Sequence, residues 1–136
     1  MKVVVTIGVL NEEENICKVL ERIPQGYDVL LVDDGSSDST VTVAKQYGAK
    51  IISHLTNLGQ GFAVITSFKA ALLNDYDIIV EMDGDGQHDP LEIPKFIKKM
   101  EKFFKARPQC TKVNLILCLF QNEKSFGELI NLKKVK

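Results

Sequence analysis

The sequence predicts an α/β fold, with helices on both sides of a mostly parallel sheet. Three observations predict it. Short apolar runs rich in β-branched residues alternate with stretches of helical periodicity, the pattern of successive βαβ units. The turns that follow the first, second and fourth runs are polar and acidic, as expected where strands end at the ligand-binding edge of an open sheet. The 136 residues, 45% of them hydrophobic, suffice for one domain with a single core.

The elements follow in order. Val3 to Val9 reads as the first strand. Asn11 is a suitable N-cap with Glu14 three residues on, the capping-box spacing. Ile16, Val19, Leu20 and Ile23 then supply one apolar helical face before Pro24 stops the helix. Val29 to Val32 is the second strand, and Asp33 to Ser39 a polar turn. Val41, Ala44 and Tyr47 mark a helix closed by Gly48 at the C′ position. Ile51 and Ile52 begin a short third strand. Asn57 to Gly61 is a glycine-containing loop, followed by a helix on which Ile65, Phe68 and Leu72 share a face. Ile78 to Met82 is the fourth strand. Pro90 fits the first turn of a helix running through Lys105. Beyond Arg107, Val113 to Phe120 reads as a fifth strand and Glu123 to Leu132 as a short helix, with Lys133 to Lys136 frayed.

Composition limits the function classes. A net charge of -1 and the absence of a basic arm argue against nucleic acid as a partner. Cys17, Cys110 and Cys118 form an odd set without metal-ligand spacing, which points to a reducing compartment rather than a disulfide framework. No apolar run approaches the ~20 residues of a membrane span. No signal-peptide pattern follows Met1. A cytoplasmic protein is expected.

The chemistry concentrates at strand ends. Asp83-Gly84-Asp85 directly follows the fourth strand, and paired carboxylates there suit Mg²⁺ or Mn²⁺, which keep waters and bridge to phosphates. Leu10-Asn11-Glu12 and Asp33-Asp34-Gly35-Ser36-Ser37 end the first two strands, so all three turns fall on one edge of a right-handed parallel sheet. Acids facing one crevice repel each other unless a cation or ligand donors compensate. Asp34 or Asp33 is placed to accept from a nucleobase or ribose, while Asp83 and Asp85 hold the metal on a diphosphate. Two alternatives fail on spacing. The Asp83, Asp85, Gln87, Asp89 alternation lacks the EF-hand glycine, where His88 stands, and Pro94 replaces the bidentate Glu. Gly59-Gln60-Gly61 has neither a Walker Lys-Ser/Thr nor a full dinucleotide fingerprint. Glu12 also suits a helix N-terminus. His88 reads as a turn residue, and His54 shows no supporting neighbours. The lysines from Lys95 to Lys105 read as a solvated face, or as one that meets an anionic bilayer or lipid phosphate.

Four segments carry a family resemblance: Ile7 to Asn15, Val32 to Thr40, Asn57 to Ala71 and Glu81 to Pro90. In order and spacing they resemble the family 2 glycosyltransferases of GT-A fold, in the dolichol- or polyprenyl-phosphate mannosyltransferase-like branch. The resemblance implies a Rossmann-like three-layer α/β/α domain and metal-dependent transfer of a sugar, with inversion, from a GDP- or UDP-linked donor to an acceptor such as a polyprenyl phosphate. It implies that Val9, Leu10, Asn11 and Glu12 lie near the nucleoside and that Val32 and Asp34 contact base and ribose. It places Asp83, Asp85 and Gln87 around metal and diphosphate, with the Gly84 backbone close to the nucleotide. Gly8 and Leu10 replace the Pro and Tyr of many relatives, and no general base is named. The match covers roughly residues 1–107, the nucleotide-sugar-binding half; residues 108–136 are an atypical tail extending the same domain. Peripheral membrane contact and self-association are further expectations. The rival classes are a non-catalytic nucleotide-binding or self-associating module and a nucleotidyltransferase; the latter wants a basic residue near the first turn, which is absent.

Overall fold

A computed structural model describes residues 1–106 and 115–118. The elements are β1 (Val3–Val9), α1 (Ile16–Arg22), β2 (Asp28–Asp33), α2 (Thr40–Gln46), β3 (Lys50–Ser53), α3 (Gln60–Leu73), β4 (Ile78–Asp83), a 3₁₀ turn (Pro90–Glu92), α4 (Ile93–Lys105) and β5 (Leu115–Cys118). The strands form one sheet in the order β3-β2-β1-β4-β5, with every pairing parallel. The chain winds outward from β1 through β2 to β3, then returns to the other side of β1 with β4. The switch point therefore lies between β1 and β4, where the carboxyl ends of an open sheet leave a crevice. The expected fifth strand is present over Leu115–Cys118. The tail helix and the final lysines fall outside the described residues.

Strand alternation builds the layers. Val5, Ile7 and Val9 join Leu31, Ile78, Val80 and Met82 in a core closed by Ile16, Val19 and Leu20 of α1, Ala44 of α2 and Ile93, Ile97 and Met100 of α4. Val4, Leu30 and Ile79 point to the opposite face and meet Ala71 of α3 and Tyr76. Each fully buried Ile, Leu or Val side chain removes apolar surface worth roughly 1.5–3 kcal/mol from water. The three layers are thus α1, α2 and α4, then the sheet, then α3.

Two local expectations are corrected. The first helix starts at Ile16 rather than after Asn11. Asn11 adopts a left-handed backbone, φ 53°, and its side chain accepts from Ser37 N–H at 2.9 Å instead of capping a helix. The Glu12 carbonyl accepts from the Asn15 and Ile16 N–H groups, so the chain makes one more turn before α1. On α3 the buried face is Ala63, Ser67 and Ala71, whereas Ile65 and Leu72 are about half exposed and only Phe68 packs against the core. Small residues at a spacing of four let α3 approach the sheet closely; a Cβ at Gly8 would meet Ala63 Cβ at 3.8 Å. Close packing against the sheet thus buries the small residues of α3 rather than its shared apolar face.

Candidate functional site

Register brings the strand-end turns together. Gly8 pairs with Asp83 across β1 and β4, and Val9 pairs with Asp33 across β1 and β2. The backbone extends both pairings: Gly84 N–H donates to Gly8 O, and Asp34 N–H to Val9 O. Gly84 is fixed by sterics, since a Cβ there would lie 2.4 Å from Val9 Cγ1. The turn from 83 to 92 closes on Asp89, which caps Leu91 N–H and pairs with Arg22 of α1 at 2.9 Å.

The other two turns interlock. Asn11 N–H donates to Ser36 Oγ and Glu12 N–H to Thr40 Oγ1, while Glu13 accepts from Ser39 N–H at 2.8 Å. Asp33 accepts from Ser36 N–H in an Asx turn. Gly35, at φ 87°, sits where a Cβ would be 3.0 Å from the backbone of Thr56 and Asn57. The missing side chain lets the β2–α2 turn lie close against the β3–α3 loop.

A cleft of about 450 Å³ opens at the switch point, lined by Gly8 to Leu10, Glu12 and Asp34 on one side. Asn57, Gly59, Gln60, Ala63 and Asp83 to Asp85 complete its wall. It thus unites seven of the ten candidate site residues: Val9, Leu10, Glu12, Asp34, Asp83, Gly84 and Asp85. Three lie outside the lining. Val32 is wholly buried in β2, with no side-chain surface to offer a base. Asn11 is exposed and committed to Ser37. Gln87 is exposed, and its N–H donates to Asp85 Oδ1 at 2.9 Å.

Four carboxylates, from Glu12, Asp34, Asp83 and Asp85, line this cleft without a lysine or arginine among the lining residues. Asp34 is buried and heavily engaged: Oδ1 meets His54 Nδ1 at 2.7 Å and Leu58 N–H at 2.9 Å, and Oδ2 accepts from Gly59 N–H at 2.7 Å. Burial alone would raise its pKa, but the bonds from His54, Leu58 and Gly59 outweigh it and hold the carboxyl below its ordinary range. Asp83 Oδ1 accepts from the Gln60 amide at 2.9 Å. His88 Nδ1 lies 3.5 Å from Asp83 N–H, and its Nε2 is buried without a partner among the described residues.

The expectation that His54 has no supporting neighbours is corrected, and Glu81 has a setting that no motif indicated. His54 is not isolated: its Nε2 lies 2.9 Å from Thr66 Oγ1, so it ties Asp34 to α3. No local sequence signal marks this, because the Asp33–Ser53 register that sets residue 54 beside residue 34 arises only when β2 and β3 pair. Glu81 stands inside an apolar run and is buried in β4, two residues before Asp83, where it accepts from the Thr6 hydroxyl. Burial, reinforced by the nearby Asp83 charge, pushes its pKa to about 7, against Thr6 and a Ser67 hydroxyl that lies near without a direct hydrogen bond.

As for a metal, Asp83 and Asp85 offer hard oxygen donors on one wall. Among the described residues no group of three or more Asp, Glu, His or Cys side chains forms a closed cation cage. Two carboxylates with an open remainder fit an ion that keeps waters and takes phosphate oxygens.

Fold and site together define an α/β protein with an acidic cleft at the switch point of a parallel sheet. The chain belongs to glycosyl transferase family 2, whose family model matches residues 4–113. An uncharacterised protein of Methanocaldococcus jannaschii is 38% identical over 99 residues, covering 71% of this chain and 41% of that protein. The undecaprenyl-phosphate 4-deoxy-4-formamido-L-arabinose transferase of Serratia proteamaculans is 36% identical over 114 residues, covering 74% and 34%. Among solved structures, glucosyl-3-phosphoglycerate synthase of Mycobacterium tuberculosis with Mn²⁺, UDP and glucosyl-3-phosphoglycerate superposes with a TM-score of 0.60 at 27% identity, covering 73% and 39%. The fold is GT-A. The chain spans less than half the length of these relatives.

Proposed function

We propose that this chain binds a nucleoside-diphosphate sugar through a divalent cation, as the donor-binding part of a sugar transferase. One observation carries the reading: an acidic cleft with no basic lining residue, at the β1–β4 switch point, with Asp83 and Asp85 on one wall. Asp83 and Asp85 would hold Mg²⁺ or Mn²⁺, with Gln87 completing the set from the same turn. The ion supplies Lewis-acid stabilisation of a departing nucleoside diphosphate. The N-terminal end of α3, from Gly59 to Gln60, opens onto the same cleft and favours phosphate there. Val9, Leu10 and Glu12 would flank the nucleoside. Asp34 has both oxygens occupied, so it shapes the nucleoside wall by holding the 57–59 loop. UDP is the first base to test, since the M. tuberculosis enzyme binds it; GDP is the alternative. The S. proteamaculans relative is named for an undecaprenyl-phosphate acceptor, which supports a lipid phosphate here. Such an acceptor is already ionised and needs little help from a base to attack the anomeric carbon with inversion. In this reading residues 1–107 form the donor half and residues 108–136 are a tail that completes or extends the same domain.

A second reading, donor binding without transfer, is favoured by one observation. Every cleft-lining residue lies within residues 8–85, at the carboxyl ends of β1, β2 and β4 or at the start of α3 and the loop before it, in a chain less than half as long as its relatives. Turnover separates the two. Sugar release or transfer from UDP-sugar with Mn²⁺ and a polyprenyl phosphate supports the transferase; Mn²⁺-dependent binding without either supports the module. Absence of any nucleotide binding by folded protein overturns both.

A further inference from the structure

We propose that the outer face of α4 is a docking surface for an anionic lipid bilayer. The helix has two distinct sides. Ile93, Ile97 and Met100 are buried against the core it shares with α1. Lys95, Lys98, Lys99, Lys102 and Lys105 are all exposed, and four of them recur at spacings of three, four and three residues, which is one helical stripe. Residues 93–105 hold five lysines and one glutamate in a chain of net charge -1, so the positive charge is concentrated here while acids crowd the cleft edge. Lys95 reaches Glu92 at 2.9 Å and Lys99 lies over the Phe96 ring. Among the described residues no carboxylate pairs with Lys98, Lys102 or Lys105.

The chemistry favours a bilayer over a nucleic acid. The row from Lys95 to Lys105 runs about 15 Å along the helix, at 1.5 Å per residue. It contains lysine alone, without the arginine forks that read bases and phosphates bidentately. Clusters of this size on an amphipathic helix suit the diffuse potential of anionic headgroups. Leu91, 59% exposed at the cleft end of the row, adds an apolar contact. Placement fits as well. β4 and β5 are parallel, so the helix joining them begins at the edge that carries the cleft. A bilayer against α4 leaves the cleft open beside the headgroups. The surface thus deepens the lipid-phosphate acceptor reading, on which its purpose rests.

The test is co-sedimentation of the full chain with vesicles of phosphatidylcholine alone and of phosphatidylcholine with phosphatidylglycerol, neither containing polyprenyl phosphate. Binding is expected only to the anionic vesicles and is lost at about 0.5 M salt, where the Debye length is only a few Å. Reversing three lysines together, Lys98→Glu, Lys102→Glu and Lys105→Glu, should lower partitioning by at least about a hundredfold, and the Gln counterparts by less. Far-UV circular dichroism and UDP binding should stay unchanged in both variants. Equal binding to both vesicle types, wild-type binding by a folded triple variant, or displacement from vesicles by duplex DNA at equal phosphate would overturn the proposal. UDP binding with no vesicle binding removes the surface and leaves the donor site standing; vesicle binding without UDP binding does the reverse.

Discussion

Gly8 and Asp83 are register partners across the β1–β4 pair, and this pairing sets a carboxylate on the wall of the cleft. A glycine opposite the aspartate leaves the space that the cleft occupies. One residue further, Gly84 continues the ladder to Gly8 O.

That ladder makes Gly84 intolerant of a side chain. With a Cβ 2.4 Å from Val9 Cγ1, Gly84→Ala should cost about 2–3 kcal/mol, as overpacking does. Chemical denaturation measures it. Adding Val9→Ala should recover part of the loss, a coupling of at least about 1 kcal/mol in a double-mutant cycle. Strict additivity would show that the clash is not the cause.

Asp34 is an acceptor at both oxygens, toward His54, Leu58 and Gly59. Asp34→Asn turns one acceptor into a donor facing an N–H group. A loss of about 1–3 kcal/mol is expected, with faster amide exchange at Leu58 and Gly59. His54→Ala should loosen the same loop by a smaller amount. Since the Asp34 pKa is lowered on folding, its stabilisation is complete above its unfolded value and is lost as pH falls through its folded value. Asp34→Asn should therefore flatten the acid limb of the stability profile.

Glu81 acts in the opposite sense. Folding raises its pKa from an ordinary 4.5 to about 7, so the folded state holds a proton that the unfolded state releases. Stability of the metal-free protein should fall as pH rises from about 4.5 to about 7. The total is on the order of 3 kcal/mol, from 1.36 kcal/mol per pKa unit. Glu81→Gln, retaining a partner for Thr6, should remove that slope in thermal melts across the window. An unchanged slope would contradict the assignment.

What could be read in advance follows from range of interaction. β1, β2 and β4 were legible because buried parallel strands write themselves as runs of Val and Ile, and Gly48 closed α2 as read. Asp83 and Asp85 were legible because they sit next to their strand. The N-terminus of α1 was misread because Asn11 answers to Ser36 and Ser37, 25 and 26 residues away. The buried face of α3 did not follow from its apolar positions because Ala63, Ser67 and Ala71 are chosen by distance to the sheet rather than by hydrophobicity. His54 and Val32 show the same limit: register and burial decide whether a polar residue has neighbours and whether a strand residue reaches a cleft.

A cation-dependent nucleotide site at Asp83 and Asp85 is open to direct measurement. Isothermal titration of UDP and GDP, with Mn²⁺ and with chelator, tests it in wild type and in Asp85→Ala. One nucleotide is expected to bind only with Mn²⁺ and to bind at least about tenfold more weakly in the variant, about 1.4 kcal/mol or more, while the melting temperature without ligand is held. Binding that ignores both Mn²⁺ and the substitution, or no binding of either nucleotide by folded wild-type protein, would contradict it.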